Sequence, residues 1–135
     1  MKEQVVELLN NLNHQFFGDL INSNIEGYVD KLLTYSSLIS FQKEGVLNAF
    51  IAYYDNDPAN RTAYLTMLAV SSDNQGMGIG SILLKASIEN LKRKGFSNYK
   101  LEVKKQNFKA IKFYESFGFN VLEENGLSLF MIKEL

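Results

Sequence analysis

Residues 62–105 read TAYLTMLAVSSDNQGMGIGSILLKASIENLKRKGFSNYKLEVKK, and this stretch decides the fold. Residues 62–70 have the composition of a strand, and a turn containing three glycines follows them. The next segment carries apolar residues over a wide arc, which predicts a helix packed against a sheet. Another strand is predicted to begin at Asn98. Because strand, turn, helix and strand form a crossover unit, we expect the two strands to run parallel.

The sequence before this unit predicts two helices and a hairpin. The spacing from Ser23 to Glu26 is that of a capping box and predicts the start of the second helix. Strand-like runs on either side of residues 43–45 predict an antiparallel hairpin, which the strand at 62–70 extends to three strands. The first helix should end near Gly18, and its apolar stripe consists of Val5, Leu8, Leu9, Leu12 and Phe16.

The sequence after this unit predicts one more helix and a second hairpin. Asn107 is expected to cap the helix and Gly118 to end it. The dipeptide Asn125-Gly126 is a strong signal for a hairpin turn. A chain of 135 residues with 46% hydrophobic residues can bury a substantial core, and we expect residues 1–135 to form a single domain.

The composition excludes several kinds of partner and chemistry. The 14 basic and 15 acidic residues leave a formal net charge of -1, so charge predicts no nucleic-acid partner and no membrane-surface partner. The absence of cysteine removes disulfides, thiolate zinc ligands and a cysteine nucleophile. The single histidine, His14, is expected on the exposed side of the first helix, and we expect no metal site. No apolar run reaches the roughly 20 residues that span a bilayer, so we expect a cytoplasmic protein.

The glycine turn at residues 75–81 has two interpretations. Without side chains, a backbone at the start of a helix can direct several N–H groups at phosphate oxygens, which favours a diphosphate ligand. Alternatively, the glycines serve only a tight turn and close packing of the helix. A nucleotide or dinucleotide site is disfavoured because no lysine follows Gly80 and because Ser81 stands where a dinucleotide fingerprint has glycine or alanine.

The spacing Gln75-x-x-Gly78-x-Gly80 at a strand-to-helix turn resembles the acetyl-CoA pyrophosphate loop of the GNAT superfamily of N-acetyltransferases. The downstream Asn107, Tyr114 and Gly118-Phe119 and the order of predicted elements extend the resemblance over nearly the whole chain. It implies an α+β fold with a mixed sheet of six or seven strands and about four helices. The sheet should splay where residues 65–70 and 100–105 part.

The resemblance also implies where acetyl-CoA would bind. The backbone at the strand end would pair with the pantetheine amides, and Asn107 would contact the cofactor arm. The N–H groups of the loop would bind the pyrophosphate. The residues implied are Leu68, Ala69 and Val70 at the strand end, and Gln75, Gly76, Met77, Gly78, Ile79, Gly80 and Ser81 in the loop.

Two residues are candidates for the chemistry. In similar enzymes a tyrosine at the position of Tyr114 lies near the thioester sulphur and protonates the leaving thiolate. Judged only by its helical stripe, Tyr114 would be a core residue whose hydroxyl is hydrogen-bonded to a neighbour. Glu102 alternates with Leu101 and Val103, and it could take a proton from an ammonium group or simply pair with a lysine on a solvated strand face. A backbone N–H near Val70 would stabilise the developing oxyanion.

The function implied is transfer of an acetyl group from acetyl-CoA to a primary amine by direct attack in a ternary complex, because no cysteine is available for an acyl-enzyme. A non-catalytic acyl-CoA-binding module of the same fold is the alternative. The acceptor is a small-molecule or peptide amine, and residues 16–35 with the turn around Asn125 would wall its pocket. Aromatic residues expected there are Phe17, Tyr28, Tyr35 and Tyr54. Similar enzymes are commonly homodimers, although this sequence shows no sign of one.

Overall fold

The computed structural model describes the backbone of residues 1–15 and 24–135, and the side chains of residues 1–12 and 24–135. The predictions for Gly18, Phe16, Phe17 and the side chain of His14 lie outside these residues. The helices are α1 (Lys2–Gln15), α2 (Ile25–Tyr35), α3 (Ile79–Arg93) and α4 (Phe108–Ser116), with a short 3-10 helix at Ser72–Asn74. The strands are β1 (Ser37–Lys43), β2 (Val46–Tyr54), β3 (Thr62–Val70), β4 (Asn98–Lys104), β5 (Asn120–Asn125) and β6 (Ser128–Glu134).

The described strands form one six-stranded mixed sheet in the order β1-β2-β3-β4-β6-β5. β3 and β4 pair in parallel, and all other neighbours pair antiparallel. The α+β class, the parallel crossover and both hairpins predicted from the sequence are therefore confirmed. The parallel pair lies in the middle of the sheet, as expected when a helix must return the chain across one face.

Helices cover both faces of the sheet and create two cores. On one face, α3 packs against inward residues of β2, β3 and β4, including the fully buried Leu84 and Leu91, and α4 adds half-buried residues to the same core. On the other face, α1 and α2 cover β2 and β3 through Leu9, Val29 and Leu32. Strand β3 is thus buried on both sides, which restricts its conformation.

A bulge in β3 changes which face its residues occupy. Tyr53 of β2 pairs with Leu65, and Ala52 pairs with Met67, so Thr66 has no partner in β2. Leu65 belongs to the core under α3, whereas Met67 belongs to the core under α1 and α2. An extra residue on one strand has this effect because side chains alternate between faces with a period of two.

The start of α2 differs from the prediction, whereas the start of α4 agrees with it. The N-cap is Asn24, whose Oδ1 accepts hydrogen bonds from the N–H groups of Glu26 at 3.0 Å and Gly27 at 3.3 Å. The cap predicted at Ser23 is therefore one residue too early, because asparagine serves an N-cap as well as serine does. At α4 the predicted cap is confirmed, since Asn107 Oδ1 accepts from the N–H of Ala110 at 3.1 Å.

Within the described residues, none of the helices has both the length and the apolar character needed to cross a bilayer.

Candidate active site

The sheet opens between β3 and β4. The parallel ladder runs from Thr62–Asn98 to Leu65–Leu101 and ends there. β3 continues to Val70 while paired with β2, and β4 continues to Lys104 while paired with β6. The facing edges of residues 66–70 and 102–104 therefore pair with no described strand. This is the splay that the resemblance implied, and the bulge at Thr66 lies at its origin.

The residues expected to bind the cofactor arm lie along this free edge. Leu68 and Val70 are half-buried on the α3 face, and Ala69 is buried under α1 and α2. The side-chain amide of Gln75 donates a hydrogen bond to the carbonyl oxygen of Val70 at 2.9 Å. Gln75 therefore ties the start of the glycine turn to the strand end, a contact that its place in the motif did not predict.

Further hydrogen bonds hold the segment between β3 and the turn. The N–H of Ser71 donates to the carbonyl oxygen of Asn48 at 2.7 Å. The Asn74 amide donates to Ser71 Oγ at 2.8 Å and to Asn48 Oδ1 at 3.2 Å. These contacts fix the direction in which the chain enters the turn.

The glycine turn is shorter than the sequence indicates. Gly76 and Gly78 have φ of 82° and 79°, in the left-handed region that favours glycine, and a Cβ on either would meet open space. Met77 between them is 64% exposed. Residues 79–81, expected in the loop, form the first turn of α3, and the side chain of Ile79 is buried in the core. Any contact of Ile79 with a ligand must therefore come from its backbone.

The N-terminus of α3 has free hydrogen-bonding capacity. Its N-cap is Gly78, which offers no side-chain hydrogen bond, and its first turn contains no acidic residue. α2 and α4, in contrast, are each capped by an asparagine side chain. The first N–H groups of a helix have no partner within the helix, and they lie at the positive end of its dipole. This end of α3 is therefore suited to bind an anion.

Three elements meet beside the opening between β3 and β4. A Cβ on Gly80 would lie 3.8 Å from Cζ of Phe113 in α4, 3.9 Å from Cγ2 of Val70 and 4.0 Å from Cδ2 of Leu68. The first turn of α3, the end of β3 and the middle of α4 thus form one wall. Asn107 lies at the start of the same α4, and its cap uses only Oδ1.

Tyr114 lies on α4 next to this wall. Its ring packs edge-on against Phe113 and Phe119, with centroid distances of 5.4 Å and 5.7 Å. Burial alone raises the pKa of Tyr114 to about 12, so the phenol is protonated at neutral pH. Tyr53 and Tyr99 are core tyrosines whose hydroxyls are hydrogen-bonded. The Tyr53 hydroxyl accepts from Asn90 Nδ2 at 2.7 Å, and the Tyr99 hydroxyl lies 3.0 Å from Ser87 Oγ.

Glu102 lies on the opposite face of the sheet, where it is exposed. It is the first residue of β4 beyond the last parallel pair and stands opposite Phe130 of β6. It forms no ion pair with a lysine or arginine of the described chain, which does not favour the alternative in which Glu102 only pairs with a lysine. The pKa of Tyr64 is raised by burial and, to a smaller extent, by the Glu102 carboxylate, so the two side chains are near each other.

The aromatic residues expected around the acceptor differ in their surroundings. Tyr35 is 61% exposed, whereas Tyr54 pairs with Tyr64 across β2 and β3. Tyr28 is half-buried and bonded to Thr66. Sequence reasoning missed Thr66 and Tyr64. No pattern in the sequence signals the bulge, because apolar residues occupy every odd position from Ala63 to Ala69.

A groove of about 500 Å³ runs beside α3 and begins at Ser81 in its first turn. Its other lining residues include Lys85, Ile88, Lys92, Phe117 and Lys133.

Comparison with known proteins agrees with this geometry. Residues 5–119 match the profile of the Acetyltransferase (GNAT) family. The chain belongs to the GNAT family. Over 58 residues it is 43% identical to the ribosomal protein bS18-alanine N-acetyltransferase of Escherichia coli, a match that covers 43% of this chain and 39% of that enzyme.

Two longer matches cover most of this GNAT chain. It is 32% identical over 114 residues to a probable spermine N(1)-acetyltransferase of Bacillus subtilis subsp. natto, covering 75% of this chain and 72% of that protein. The crystal structure of PaiA N-acetyltransferase from Thermoplasma acidophilum in complex with coenzyme A superposes with a TM-score of 0.80 at 20% identity, covering 99% and 92% of the two chains. The family and fold expected from the sequence are confirmed.

The raised tyrosine pKa values predict a loss of stability at alkaline pH. Because the folded-state pKa of Tyr114 lies above its unfolded value of about 10, folding favours the neutral phenol, and this contribution is lost as the pH rises from 10 through 12. We expect the free energy of unfolding in urea to fall over that range. Tyr114→Phe should remove on the order of 2 kcal/mol of the fall. Tyr35→Phe, at an exposed site, is the control, and equal curves for the two variants would contradict the assignment.

Proposed function

We propose that this GNAT protein is an N-acetyltransferase that transfers an acetyl group from acetyl-CoA to a primary amine. One observation carries the proposal: the open edge of β3 is followed, after the short 3-10 helix, by a bare glycine turn at a helix N-terminus that no side chain caps. An extended polar arm ending in a diphosphate matches this combination of a free strand edge and an anion site. We further propose that residues 1–135 act as one domain.

Each part of the site would hold a different part of acetyl-CoA. The backbone of Leu68, Ala69 and Val70 would pair with the pantetheine arm as an added strand would. N–H groups from Gly76 to Ser81 would bind the diphosphate, with Gln75 holding the turn in place. Asn107 would contact the arm through its side-chain amide nitrogen, because the helix cap uses only Oδ1. Acetyl-CoA, when bound, supplies an activated thioester.

A direct attack of the amine on the thioester gives a role to Glu102, to a backbone N–H near Val70 and to Tyr114. The acceptor nitrogen forms a bond to the thioester carbonyl carbon, and the carbon–sulphur bond breaks. Glu102, directly or through water, would take the proton that the ammonium form of the amine must lose. A backbone N–H near Val70 would donate to the carbonyl oxygen as it becomes negative. Tyr114 would donate its phenolic proton towards the departing sulphur. Solvent would take the second proton that the nitrogen loses on becoming an amide and would return a proton to Tyr114.

The high pKa of Tyr114 limits how it acts. A phenol with a pKa of about 12 is a weaker acid than a thiol, whose ordinary pKa is about 8.5. In water the proton would therefore stay on the phenol. Burial between β3 and β4 would also raise the pKa of the thiol, which would reduce the difference. Hydrogen-bond donation to the sulphur is useful in either case, because it stabilises the leaving group while charge develops.

Relatives indicate amines as acceptors without selecting one. The matched proteins are named for an alanine of a ribosomal protein and for spermine. A turnover screen with acetyl-CoA over small amines, polyamines and peptides, read by free thiol, tests activity and acceptor class together. Binding of acetyl-CoA without acceptor-dependent thiol release would support the non-catalytic alternative. A homodimer and a cytoplasmic location stay predictions.

Gly78 provides a direct test of the diphosphate site. Both Gly78→Ala and Gly78→Glu place a side chain at a φ of 79°, which costs about 1 kcal/mol in each case, but only glutamate adds a negative charge beside the anion site. We expect Gly78→Glu to weaken acetyl-CoA binding more than roughly tenfold beyond Gly78→Ala, measured by calorimetry. Equal affinities of the two variants would count against a diphosphate at this turn.

Tyr114→Phe separates binding from chemistry. The ring contacts with Phe113 and Phe119 are retained, so acetyl-CoA affinity should change less than about twofold. Loss of the proton donor should lower kcat by roughly 100-fold. Steady-state kinetics with an acceptor from the screen gives both values. A kcat close to that of the wild type would exclude Tyr114 as the acid, and Tyr53→Phe provides a control for loss of a buried hydroxyl.

A further inference from the structure

The hydroxyl of Tyr28 in α2 contacts the bulge of β3. It lies 2.9 Å from Thr66 Oγ1 and 3.3 Å from the carbonyl oxygen of Thr66. If Thr66 Oγ1 donates to the phenol oxygen, the single phenolic proton is free to be donated to the carbonyl oxygen. Both contacts can then exist together, and one side chain holds both the backbone and the side chain of the bulged residue.

The packing of α2 fixes the position of the Tyr28 side chain. It is half-buried, and burial raises the pKa of its phenol, so it is a neutral donor at physiological pH. The next residue, Val29, and Leu32 one turn on are fully buried against the sheet. The position of the hydroxyl is therefore set by the packing of α2 and not by a mobile surface side chain.

The bulge determines what the free edge of β3 presents. With regular pairing after Leu65, Met67 would stay on the α3 face with Leu65, and Leu68 and Val70 would turn towards α1 and α2. The extra residue reverses this and brings Leu68 and Val70 to the wall shared with Gly80 and Phe113. The backbone groups of the edge change direction in the same way, because they alternate along a strand as the side chains do.

We propose that Tyr28 is a positioning residue for the coenzyme: by bonding to Thr66 it holds the bulge, and through the bulge it sets the direction of the edge at residues 68–70. The inference rests on the proposed function, since it assumes that this edge binds acetyl-CoA. Tyr28 need not touch the coenzyme or the acceptor. Its effect is therefore expected on coenzyme binding in the absence of any acceptor.

The test compares Tyr28→Phe with Tyr53→Phe. Each variant removes one phenolic hydroxyl that is hydrogen-bonded in the folded chain. The Tyr53 hydroxyl bonds to Asn90 in α3 and not to Thr66, and Tyr53 adjoins the bulge only through its strand pairing with Leu65. We expect Tyr28→Phe, which loses both contacts to Thr66, to raise the Kd of acetyl-CoA roughly tenfold, and Tyr53→Phe to leave it within about twofold. Thr66→Val removes the Oγ1 contact and keeps the one to the carbonyl oxygen, so it should raise the Kd less than Tyr28→Phe does, and Thr66→Ser should retain most of the affinity. Equal Kd values for Tyr28→Phe and the wild type would overturn the inference.

A second measurement on the free protein separates this inference from the proposed function. Amide hydrogen exchange of residues 67–70 should be faster in Tyr28→Phe than in the wild type and unchanged in Tyr53→Phe. If the wild type does not bind acetyl-CoA, the proposed function fails, and exchange rates still decide whether Tyr28 holds the edge. Unchanged exchange in Tyr28→Phe overturns the inference even if the wild type binds acetyl-CoA.

Discussion

Strand β3 has to pair with two neighbours over one part of its length and with a single neighbour over the rest. At Tyr64 and Leu65 it pairs with both β2 and β4, and from Met67 onward it pairs with β2 alone. One unpaired residue achieves the change, because a bulge bends a strand and shifts its side chains to opposite faces. Both cores depend on it, since Leu65 and Met67 are buried on different sides of the sheet. The candidate site is a consequence of how these cores are packed.

The candidate anion site depends on backbone N–H groups at the start of α3 that no side-chain cap occupies. Side chains cap α2 and α4, whereas the start of α3 has only glycine at its N-cap. Asn48, Asn74 and Gln75 hold the segment that leads there, so the bare backbone is presented by a fixed frame. Preorganised N–H groups bind an anion without a further ordering cost, which is why a rigid turn suits this role better than a flexible one.

The two candidate catalytic residues lie on opposite faces of the opening. Tyr114 belongs to the α4 side and packs among aromatic rings, while Glu102 is exposed on the other face near Tyr64. In a direct attack, the amine would approach the carbonyl carbon from one face of the planar thioester, and the sulphur would leave from a different position on the same carbon. A proton acceptor and a proton donor on the two faces of the sheet would therefore serve the amine and the sulphur separately.

Much of this could be predicted from the sequence, because the signals are local. The hairpins, the crossover, the caps at Asn107 and Gly118 and the glycine turn depend on residues close together in the chain. The cap of α2 was predicted one residue early, at Ser23 instead of Asn24, because both residue types serve that position. The loop was predicted too long, because residues 79–81 can continue a turn or begin a helix and only packing of Ile79 into the core decides between them.

The sequence by itself determined the family, the order of elements and the residues available for chemistry. Tertiary structure alone decided where β3 leaves β4 and which face each of its residues occupies. Buried residues alternate without a break from Ala63 to Ala69, and this alternation conceals the change of face because both sides of the strand are buried. A change of face that leaves the burial pattern intact has no local signature, and it is defined only when α2 and α3 pack on opposite sides of the same strand.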